Sequence, residues 1–363
     1  MNKLGFGFLR LHMTEDKKID AGLLCSMVDA FLERGDTYFD TAYNYLKGRS
    51  ETALRECLVT RYPRAAFVVT DKLPTWALKS REDCRRYYEE QLLRCGLERF
   101  DNYLLHWLNA AYYAQAERYD AFGFLRELKE NGEVDKIGFS YHDSAALLDE
   151  ILTAHPEVDY VQLQVNYLDW DSAGIQSRLC YETAVRHGKK VIVMEPVKGG
   201  TLAALPEQAE RLLKAQRPAA SVASWAIRFA QSLEHVDVVL SGMSDLEQIV
   251  DNMQEHPILS EEELEVLRQV CVIKNADTAI ACTGCAYCTT HCPQNIAIPQ
   301  CFSLYNEYAR KPSEDWKLQP AYAELTQTHG KASDCVQCRA CEAHCPQKLP
   351  ITEWLARAAE VLE

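Results

Sequence analysis

One cysteine pattern occurs twice near the C-terminal end of this 363-residue chain. The first copy reads Cys282-Thr-Gly-Cys285-Ala-Tyr-Cys288-Thr-Thr-His-Cys292-Pro. The second copy reads Cys335-Val-Gln-Cys338-Arg-Ala-Cys341-Glu-Ala-His-Cys345-Pro. Three cysteines separated by two residues each place three thiolates on one tight loop, and thiolates are strong ligands for soft metals. The repeat therefore predicts a metal-binding domain that arose by duplication.

Both copies resemble the cysteine run of bacterial ferredoxins, in which the fourth cysteine of each run ligates the other cluster. The resemblance implies two [4Fe-4S] clusters. It implies that the first is held by Cys282, Cys285, Cys288 and Cys345, and the second by Cys292, Cys335, Cys338 and Cys341. Structural zinc is the alternative, because zinc also binds tetrahedral thiolate sites. Zinc sites usually pair two Cys-x-x-Cys motifs, so the triple spacing favours iron–sulfur clusters.

The formal net charge of −14 argues against nucleic acid or an anionic membrane as a partner. The chain lacks a run of about 18 apolar residues and a signal-peptide pattern, so we expect no membrane span and a cytoplasmic protein. Seven cysteines lie outside the two runs, and we expect them to be buried reduced thiols, as is usual in a reducing compartment. They are Cys25, Cys57, Cys84, Cys95, Cys180, Cys271 and Cys301.

From residue 1 to about 255, short apolar runs alternate with longer amphipathic stretches that have helical periodicity. Eight strand–helix repeats over about 250 residues are typical of a (β/α)8 TIM barrel. A doubly wound sheet is the alternative, but no Gly-x-Gly-x-x-Gly follows the first strand. We predict a barrel over residues 1–258, a connecting helix and linker over 259–278, and a small α+β ferredoxin-like domain over 279–363. The predicted strands are 4–9, 38–41, 67–70, 103–105, 136–140, 160–165, 191–194 and 236–240.

Reactive side chains follow the predicted strands two, three and four. Because TIM barrels carry their active sites at the carboxyl ends of the strands, we expect these side chains to meet at one rim. A set of motifs in this part of the chain resembles the aldo-keto reductase family. They are Gly-Phe-Gly near the start, Asp40-Thr-Ala-x-x-Tyr45, and the later Glu51, Lys72 and His106. The C-terminal cysteines make the chain similar to the ferredoxin-bearing branch of that family. The resemblance implies an oxidoreductase that reduces a small-molecule aldehyde or ketone.

The resemblance implies that Tyr45 is the general acid and that Asp40, Lys72 and His106 support it. A tyrosine has an ordinary pKa near 10, and a neighbouring ammonium favours the phenolate. We therefore expect Lys72 to lower the pKa of Tyr45, with Asp40 holding Lys72 in place. His106 can donate a hydrogen bond to the substrate carbonyl. Tyr43, Trp76, Trp107 and Trp170 are candidates for the pocket wall.

The family binds a nicotinamide dinucleotide, NAD(H) or NADP(H), across the barrel mouth. The matching positions here are Gly7, Ser140 and Gln164 for the nicotinamide end, and Met194 where relatives stack an aromatic ring. The adenosine end matches Ser241, Gly242, Ser244, Gln248 and Asn252. Relatives that use NADP place cations in this last segment, whereas this chain has Gly242, Gln248 and three acidic residues. A 2′-phosphate would meet few cations, so NADH or another electron source stays open.

Clusters transfer single electrons, whereas the barrel residues suit a two-electron hydride step. A flavin would couple one-electron transfer to the hydride step, but no flavin motif is visible in the sequence. One hypothesis is that the clusters exchange electrons with the barrel through a flavin or an external ferredoxin-type partner. A second is that the clusters form a structural or redox-sensing cap on a nicotinamide reductase. A third, which the intact set of four barrel residues disfavours, is a non-catalytic nucleotide-binding sensor or electron-carrier subunit.

Overall fold

The structure is a computed structural model that describes residues 3–254, 257–310 and 318–363. The chain forms two compact units. The first contains residues 1–196 and 223–259, and the second contains residues 197–222 and 260–363. The segment 197–222 follows the seventh strand in sequence but packs with the cysteine-rich part of the chain.

The first unit is a closed barrel of eight parallel strands. Each strand pairs with the next one in sequence, and the eighth pairs with the first. The predicted (β/α)8 barrel is confirmed, and all eight predicted strands are present. They are β1 (Leu4–Gly7), β2 (Tyr38–Asp40), β3 (Val68–Pro74), β4 (Asn102–Leu108), β5 (Lys136–Tyr141), β6 (Tyr160–Gln164), β7 (Lys190–Met194) and β8 (Val236–Ser241).

The helices of the barrel region follow the strands in the expected alternation. They are α1 (Ala21–Glu33), α2 (Arg49–Leu54), α3 (Glu82–Cys95), α4 (Ala110–Arg118), α5 (Ala121–Glu130), α6 (Ala145–Ala154), α7 (Ser177–Arg186), α8 (Glu207–Gln216), α9 (Val222–Gln231) and α10 (Leu246–Asn252). Of these, α8 belongs to the second unit. The helices beyond the barrel are α11 (Glu261–Asp277), α12 (Ile298–Arg310), α13 (Leu318–Leu325), α14 (Ala340–Ala343) and α15 (Ile351–Leu362).

Strands β3 and β4 extend further than the apolar runs that predicted them. Lys72 and His106 therefore lie within paired strands and not in the loops that follow. Every residue of β4 is buried, which sequence alternation does not reveal because a strand covered on both faces has no polar side. The pairing of β4 with β5 shifts between Leu105 and Leu108, the interval that contains His106. A shift of this kind redirects a side chain locally.

Close approach of β5 and β6 depends on a glycine. A Cβ added to Gly138 would lie 2.1 Å from the carbonyl oxygen of Tyr160. Such a distance is too short for any side chain, so only glycine allows this strand contact. Ser140, two residues further along β5, pairs with Gln162 on β6.

Two of the seven cysteines outside the runs differ from the sequence prediction. Cys25 on α1 and Cys57 are paired as a disulfide. The expectation of a reduced thiol is wrong for these two residues, because α1 packs against the segment that contains Cys57, which brings two cysteines 32 positions apart into contact. The other five cysteines form no disulfide within the part of the chain that the structure describes, and four of them are buried.

The second unit is mostly helical. Ser260 caps α11, since its side chain accepts from the N–H of Glu263 while Glu263 accepts from the N–H of Ser260. Helix α11 continues through Asp277 and so spans nearly all of the predicted connecting segment 259–278. A parallel bridge joins Ile296 to Gly330. Among the described residues, no helix combines the length and the apolar character that crossing a bilayer requires.

Candidate functional site

A buried ion pair lies at the centre of the candidate site. Lys72 Nζ donates to Asp40 Oδ1 at 2.6 Å and to the carbonyl oxygen of Thr41 at 2.7 Å. The Lys72 side chain is 0% exposed and that of Asp40 is 2% exposed. Buried charges are strongly unfavourable unless they are paired and hydrogen-bonded. The pair therefore fixes both side chains at the carboxyl ends of β2 and β3.

Tyr45 and His106 lie beside this ion pair. Lys72 Nζ is 5.0 Å from the centre of the Tyr45 ring. The rings of Tyr45 and His106 are 5.7 Å apart and meet edge to face. Leu46 and Lys47, directly after Tyr45, have positive φ angles, so the chain turns sharply at this point. The structure thus brings together the four residues that the sequence analysis assigned to catalysis.

Burial changes the pKa values of these groups. Burial raises the pKa of Tyr45 well above its ordinary value, and the carboxylates of Asp40, Asp71 and Glu195 add to this effect. The net pKa of Tyr45 is therefore raised and not lowered as expected, because loss of water and nearby negative charge outweigh the ammonium of Lys72. Burial, together with Lys72, holds the pKa of His106 well below its ordinary value. Tyr45 is thus protonated and His106 is neutral near pH 7.

Asp71, which precedes Lys72 in β3, belongs to a buried hydrogen-bond network beside the ion pair. Asp71 Oδ1 accepts from the backbone N–H of Lys72 at 2.7 Å and from Gln91 Nε2 at 2.7 Å. The Tyr103 hydroxyl donates to Gln91 Oε1 at 2.5 Å. These side chains come from β3, α3 and β4 and are all buried. This network was not predicted, and the one signal of it in the sequence is a polar residue, Gln91, on the buried face of α3.

A second buried carboxyl group, Glu51, completes the network. Glu51 Oε2 accepts from Arg94 at 2.9 Å, yet burial raises the pKa of Glu51 to about 6. Burial and the charge of Glu51 raise the pKa of Asp71 well above its ordinary value. Neighbouring buried carboxyl groups resist double ionisation. We interpret Asp71 as the protonated member at neutral pH, with the negative charge on Glu51 beside Arg94.

Two of the four predicted pocket aromatics lie next to His106. The Trp76 and His106 rings are 5.3 Å apart, and Trp76 lies 5.5 Å from Trp107. Tyr43 and Trp170 pack elsewhere in the barrel. Tyr43 contacts Tyr87, with the Arg94 guanidinium 4.4 Å above its ring, and Trp170 packs against Tyr181 and Phe229. An aromatic wall therefore stands on one side of the site.

The residues predicted for the nicotinamide end lie at the same rim. Gly7 ends β1, Gln164 ends β6, Met194 ends β7, and Ser140 is the penultimate residue of β5. The Ser140 hydroxyl is buried and has no hydrogen-bond partner among the described residues. Gln164 Nε2 donates to Asp169 Oδ2 at 3.1 Å, which orients its amide. Ser140 is thus a buried polar group available to a ligand.

Asn166 and Asp169 hold this part of the rim, and the sequence analysis did not name them. Asn166 Nδ2 donates to Asp169 Oδ2 at 2.9 Å and to the carbonyl oxygen of Glu195 at 3.3 Å. The second bond connects the loop after β6 to the residue that follows Met194. Glu195 itself has a positive φ of 55°, an uncommon conformation for a residue with a side chain.

The segment predicted for the adenosine end has bonds of its own. Asn252 Nδ2 donates to the Ser241 hydroxyl at 3.0 Å. The Ser244 N–H donates to Gln248 Oε1 at 2.9 Å, and Asp245 caps α10 by accepting from the Gln248 N–H at 2.8 Å. The backbone amides of Ser244 and Gln248, two of the residues predicted for the adenosine end, are thus already bonded to side chains.

One cation near this segment was not foreseen. A Cβ added to Gly242 would lie 3.1 Å from Cβ of Arg10, so the Arg10 side chain runs alongside Gly242. Arg10 follows β1 in the chain, and Gly242 follows β8. The sequence of the segment after β8 does not reveal this arginine, because Arg10 comes from the segment after β1 and reaches Gly242 only where the barrel closes by pairing β1 with β8.

Two cavities in the second unit are lined by cysteines. The first encloses about 310 Å³ of space, part of it open to solvent, and is lined by Cys282, Cys285, Cys288 and Cys345. The second encloses about 280 Å³ and is lined by Cys292, Cys335, Cys338 and Cys341. Each cavity takes three cysteines from one run and the fourth from the other. Four thiols around one space form a donor set suited to a [4Fe-4S] cluster.

Comparison with known proteins agrees with this division. The Aldo/keto reductase family matches residues 3–270, and the 4Fe-4S dicluster domain matches residues 281–349. A comparison with curated protein sequences gave no significant match. Solved structures share the barrel fold.

The holo form of aldo-keto reductase AKR11C1 from Bacillus halodurans has a TM-score of 0.60 and 22% identity, over 74% of this chain and 91% of that chain. An aldo-keto reductase from Klebsiella pneumoniae in complex with NADPH has a TM-score of 0.58 and 18% identity, over 74% and 90% of the two chains. At these identities the likeness shows the fold alone. The family match covers most of the chain, and the chain therefore belongs to the aldo/keto reductase family and carries a 4Fe-4S dicluster domain after its barrel.

Proposed function

We propose that this protein is an oxidoreductase that reduces an aldehyde or ketone in its barrel, with Tyr45 as the general acid, and that two [4Fe-4S] clusters in its second unit carry electrons. One observation supports the catalytic part above all others. The Lys72 ammonium of the buried pair with Asp40 lies 5.0 Å from the centre of the Tyr45 ring, and the neutral His106 ring lies 5.7 Å from the same ring.

The proton chemistry follows from the pKa directions. Tyr45 keeps its proton in the buried site, so its hydroxyl is ready to donate to a carbonyl oxygen on which negative charge develops. Lys72 then stabilises the phenolate that remains. Neutral His106 can donate a hydrogen bond to the same oxygen without giving up its proton. Asp40 is a positioning residue that holds Lys72.

A nicotinamide cofactor would supply the hydride. We propose that Ser140 and Gln164 hold its carboxamide, because Ser140 presents a buried unpartnered hydroxyl and the amide of Gln164 is oriented by Asp169. Met194 would pack against the ring. Gly242 and Gln248 stand at the positions where relatives that use NADP carry cations, and the Gln248 amide donates to the Asp245 carboxylate, which favours NADH. Arg10 beside Gly242 would offer one cation to either dinucleotide.

We propose that Cys282, Cys285, Cys288 and Cys345 ligate one cluster and the other four cysteines ligate the second. The exchange of the fourth ligand is supported by the lining of the two cavities. The N–H of Gly284 points to Cys282 Sγ at 3.4 Å, as expected where backbone amides stabilise cluster thiolates. Clusters transfer one electron at a time, so a flavin or an external ferredoxin-type protein would link them to a hydride step.

The test is anaerobic purification followed by assays with aldehydes and ketones and either NADH or NADPH. Tyr45→Phe removes the proton donor while preserving the ring, and we expect kcat to fall by about 10²- to 10⁴-fold. Tyr43→Phe is the matched control, because Tyr43 packs against Tyr87 and Arg94 and not against His106. Full activity of Tyr45→Phe would refute the assignment of the general acid.

The same preparation tests the electron-carrying role. Flavin content is measured first, and cluster reduction is then followed by EPR after addition of cofactor and carbonyl substrate. Cluster signals that respond to one of these additions support exchange of electrons with the barrel. Signals that respond to none of them, in a protein that still reduces carbonyls, would leave the clusters as a structural or sensing cap.

A further inference from the structure

We infer that Lys198 sets the reduction potential of the cluster held by the first cavity, raising it relative to that of the second cluster. The inference rests on the proposed ligation of two clusters. It concerns a residue that lies in the segment after β7, outside both cysteine runs.

Lys198 is a buried lysine in the second unit. Its side chain is 2% exposed, and its Nζ donates to Gln347 Oε1 at 2.8 Å. Gln347 lines the first cavity and stands two residues after Cys345, one of the four cysteines of that cavity. A buried ammonium is therefore attached, through one amide, to the wall of the space that the first cluster would fill.

The backbone at Lys198 is also unusual. Its φ of 47° lies in the left-handed region, which a residue with a Cβ rarely adopts. Gly199 and Gly200 follow with φ of 63° and 96°. Strained residues of this kind persist where the surrounding contacts fix them, and they concentrate at functional sites. The turn directs a long cationic side chain toward Gln347 and buries it there.

The physical effect of such a charge has a definite sign. A cluster gains one negative charge when it accepts an electron from a low-potential reductant. A nearby buried cation stabilises the reduced form more than the oxidised form, because the interior screens charge less than water does. Cluster potentials depend on net charge, hydrogen bonding and exposure. Lys198 therefore favours reduction of the first cluster.

The second cavity has a cation of a different kind. Arg339 lies on the cavity wall, but its side chain is 72% exposed, so water and salt screen its charge. Cys338 and Val336 on the same wall are exposed as well. The buried cation of the first cavity thus makes the two clusters unequal, and electrons introduced at the exposed second cluster would pass to the first.

The test is an EPR-monitored redox titration of the anaerobically purified protein with Lys198→Met, Lys198→Arg and Lys348→Met. In Lys198→Met we expect the ratio of oxidised to reduced cluster at a fixed potential to rise about tenfold for one cluster, equal to ~59 mV for one electron. The other cluster should keep its potential. Lys198→Arg keeps the charge and should stay close to the parent protein.

Lys348→Met is the matched control, since Lys348 neighbours Gln347 in sequence but is exposed. Lys198→Met with full iron content and two unchanged potentials would overturn the inference, as would an equal shift of both. A parent protein without iron would overturn the proposed ligation itself, which is a separate result. If Lys198→Met loses iron, Lys198→Gln decides, because it removes the charge but keeps a polar side chain beside Gln347. The potential of one cluster should then fall, and two unchanged potentials would refute the role of Lys198.

Discussion

The barrel site and the cysteine cavities are built on different kinds of backbone. Asp40, Lys72 and His106 lie in paired strands, and the polar atoms of Asp40 and Lys72 bond to each other and to the barrel. The cysteines lie on loops and short helical turns within 282–292 and 335–345. Positive φ angles occur repeatedly in these loops, at Gly284, Ala286, Gln337 and Arg339.

This difference indicates what holds each site in place. Strand pairing positions the barrel residues before any ligand binds, because each strand is fixed by two neighbours. The cysteine loops have little regular hydrogen bonding, and their metal ligation contributes directly to folding free energy. We therefore expect the second unit to depend on its clusters, and the barrel site to be independent of its cofactor.

Removal of iron gives the largest expected effect. After anaerobic treatment with a chelator, backbone amides within 282–292 and 335–345 should exchange hydrogen about a thousandfold faster, because the loops lose the ligands that order them. Amides of β2, β3 and β4 should keep their exchange rates. Exchange is measured segment by segment with mass spectrometry. Restoring iron and sulfide should reverse the change, and equal acceleration in the barrel would contradict the comparison.

Replacing the fourth cysteine of one run should remove the cluster that is held mainly by the other run. In Cys345→Ser we expect about half of the iron to be lost, from the cluster that otherwise uses the first run. Combining it with Cys285→Ser should remove little further iron, whereas combining it with Cys338→Ser should remove both clusters. Iron and sulfide analysis checks these pairs. If the iron losses were additive in the double variant with Cys285→Ser but not in the double variant with Cys338→Ser, each run would bind its own cluster.

Breaking the ion pair between Lys72 and Asp40 should lower the free energy of unfolding even when no cofactor is bound. Lys72→Met leaves the Asp40 carboxylate buried and unpaired, and we expect the free energy of unfolding to fall by about 3–5 kcal/mol. Asp40→Asn combined with Lys72→Met should recover part of this loss, while activity stays low. Urea unfolding of the iron-free protein measures both variants. Lys18→Met, at an exposed position, is the control. If the double variant were as unstable as Lys72→Met, the unpaired Asp40 carboxylate would not be the cause of the lost stability.

The barrel was predictable from sequence because each strand is an apolar run and each helix an amphipathic one. The eight runs, in order, identify the fold, and strand order then predicts that Asp40, Tyr45, Lys72 and His106 share one rim. The cysteine spacing likewise predicts two metal sites, and the resemblance to bacterial ferredoxins implies that the two runs exchange their fourth ligands. These features depend on local pattern and topology, which a sequence displays.

Other features depend on burial and on contacts between distant segments. The raised pKa of Tyr45 reflects how completely the barrel excludes water, which a motif does not reveal. Arg10 meets Gly242 only because the barrel closes. The bond between Lys198 and Gln347 joins residues 149 positions apart. The disulfide between Cys25 and Cys57 depends on how α1 packs.

The smallest predicted effect tests the buried carboxyl pair beneath Lys72. The pKa of Asp71 is raised by burial and by Glu51, and our interpretation of Asp71 as the protonated member means that the folded protein binds a proton there that the unfolded chain, with a pKa of about 3.9, has lost at neutral pH. Folding stability therefore falls as pH rises above that value. Asp71→Asn cannot ionise in either state, so its stability relative to the parent should be nearly unchanged at pH 4 and higher by about 1 kcal/mol at pH 8.

The amide suits this position because its oxygen can accept from the Lys72 N–H and Gln91, as Asp71 Oδ1 does. Asp71→Ala is the control, since it leaves those donors unsatisfied and should lose about 1–3 kcal/mol at every pH. Denaturant unfolding across pH 4 to 8 gives the comparison. If Asp71→Asn instead lost stability as pH rose, Asp71 would be ionised in the folded barrel, and the proton would have to lie on Glu51.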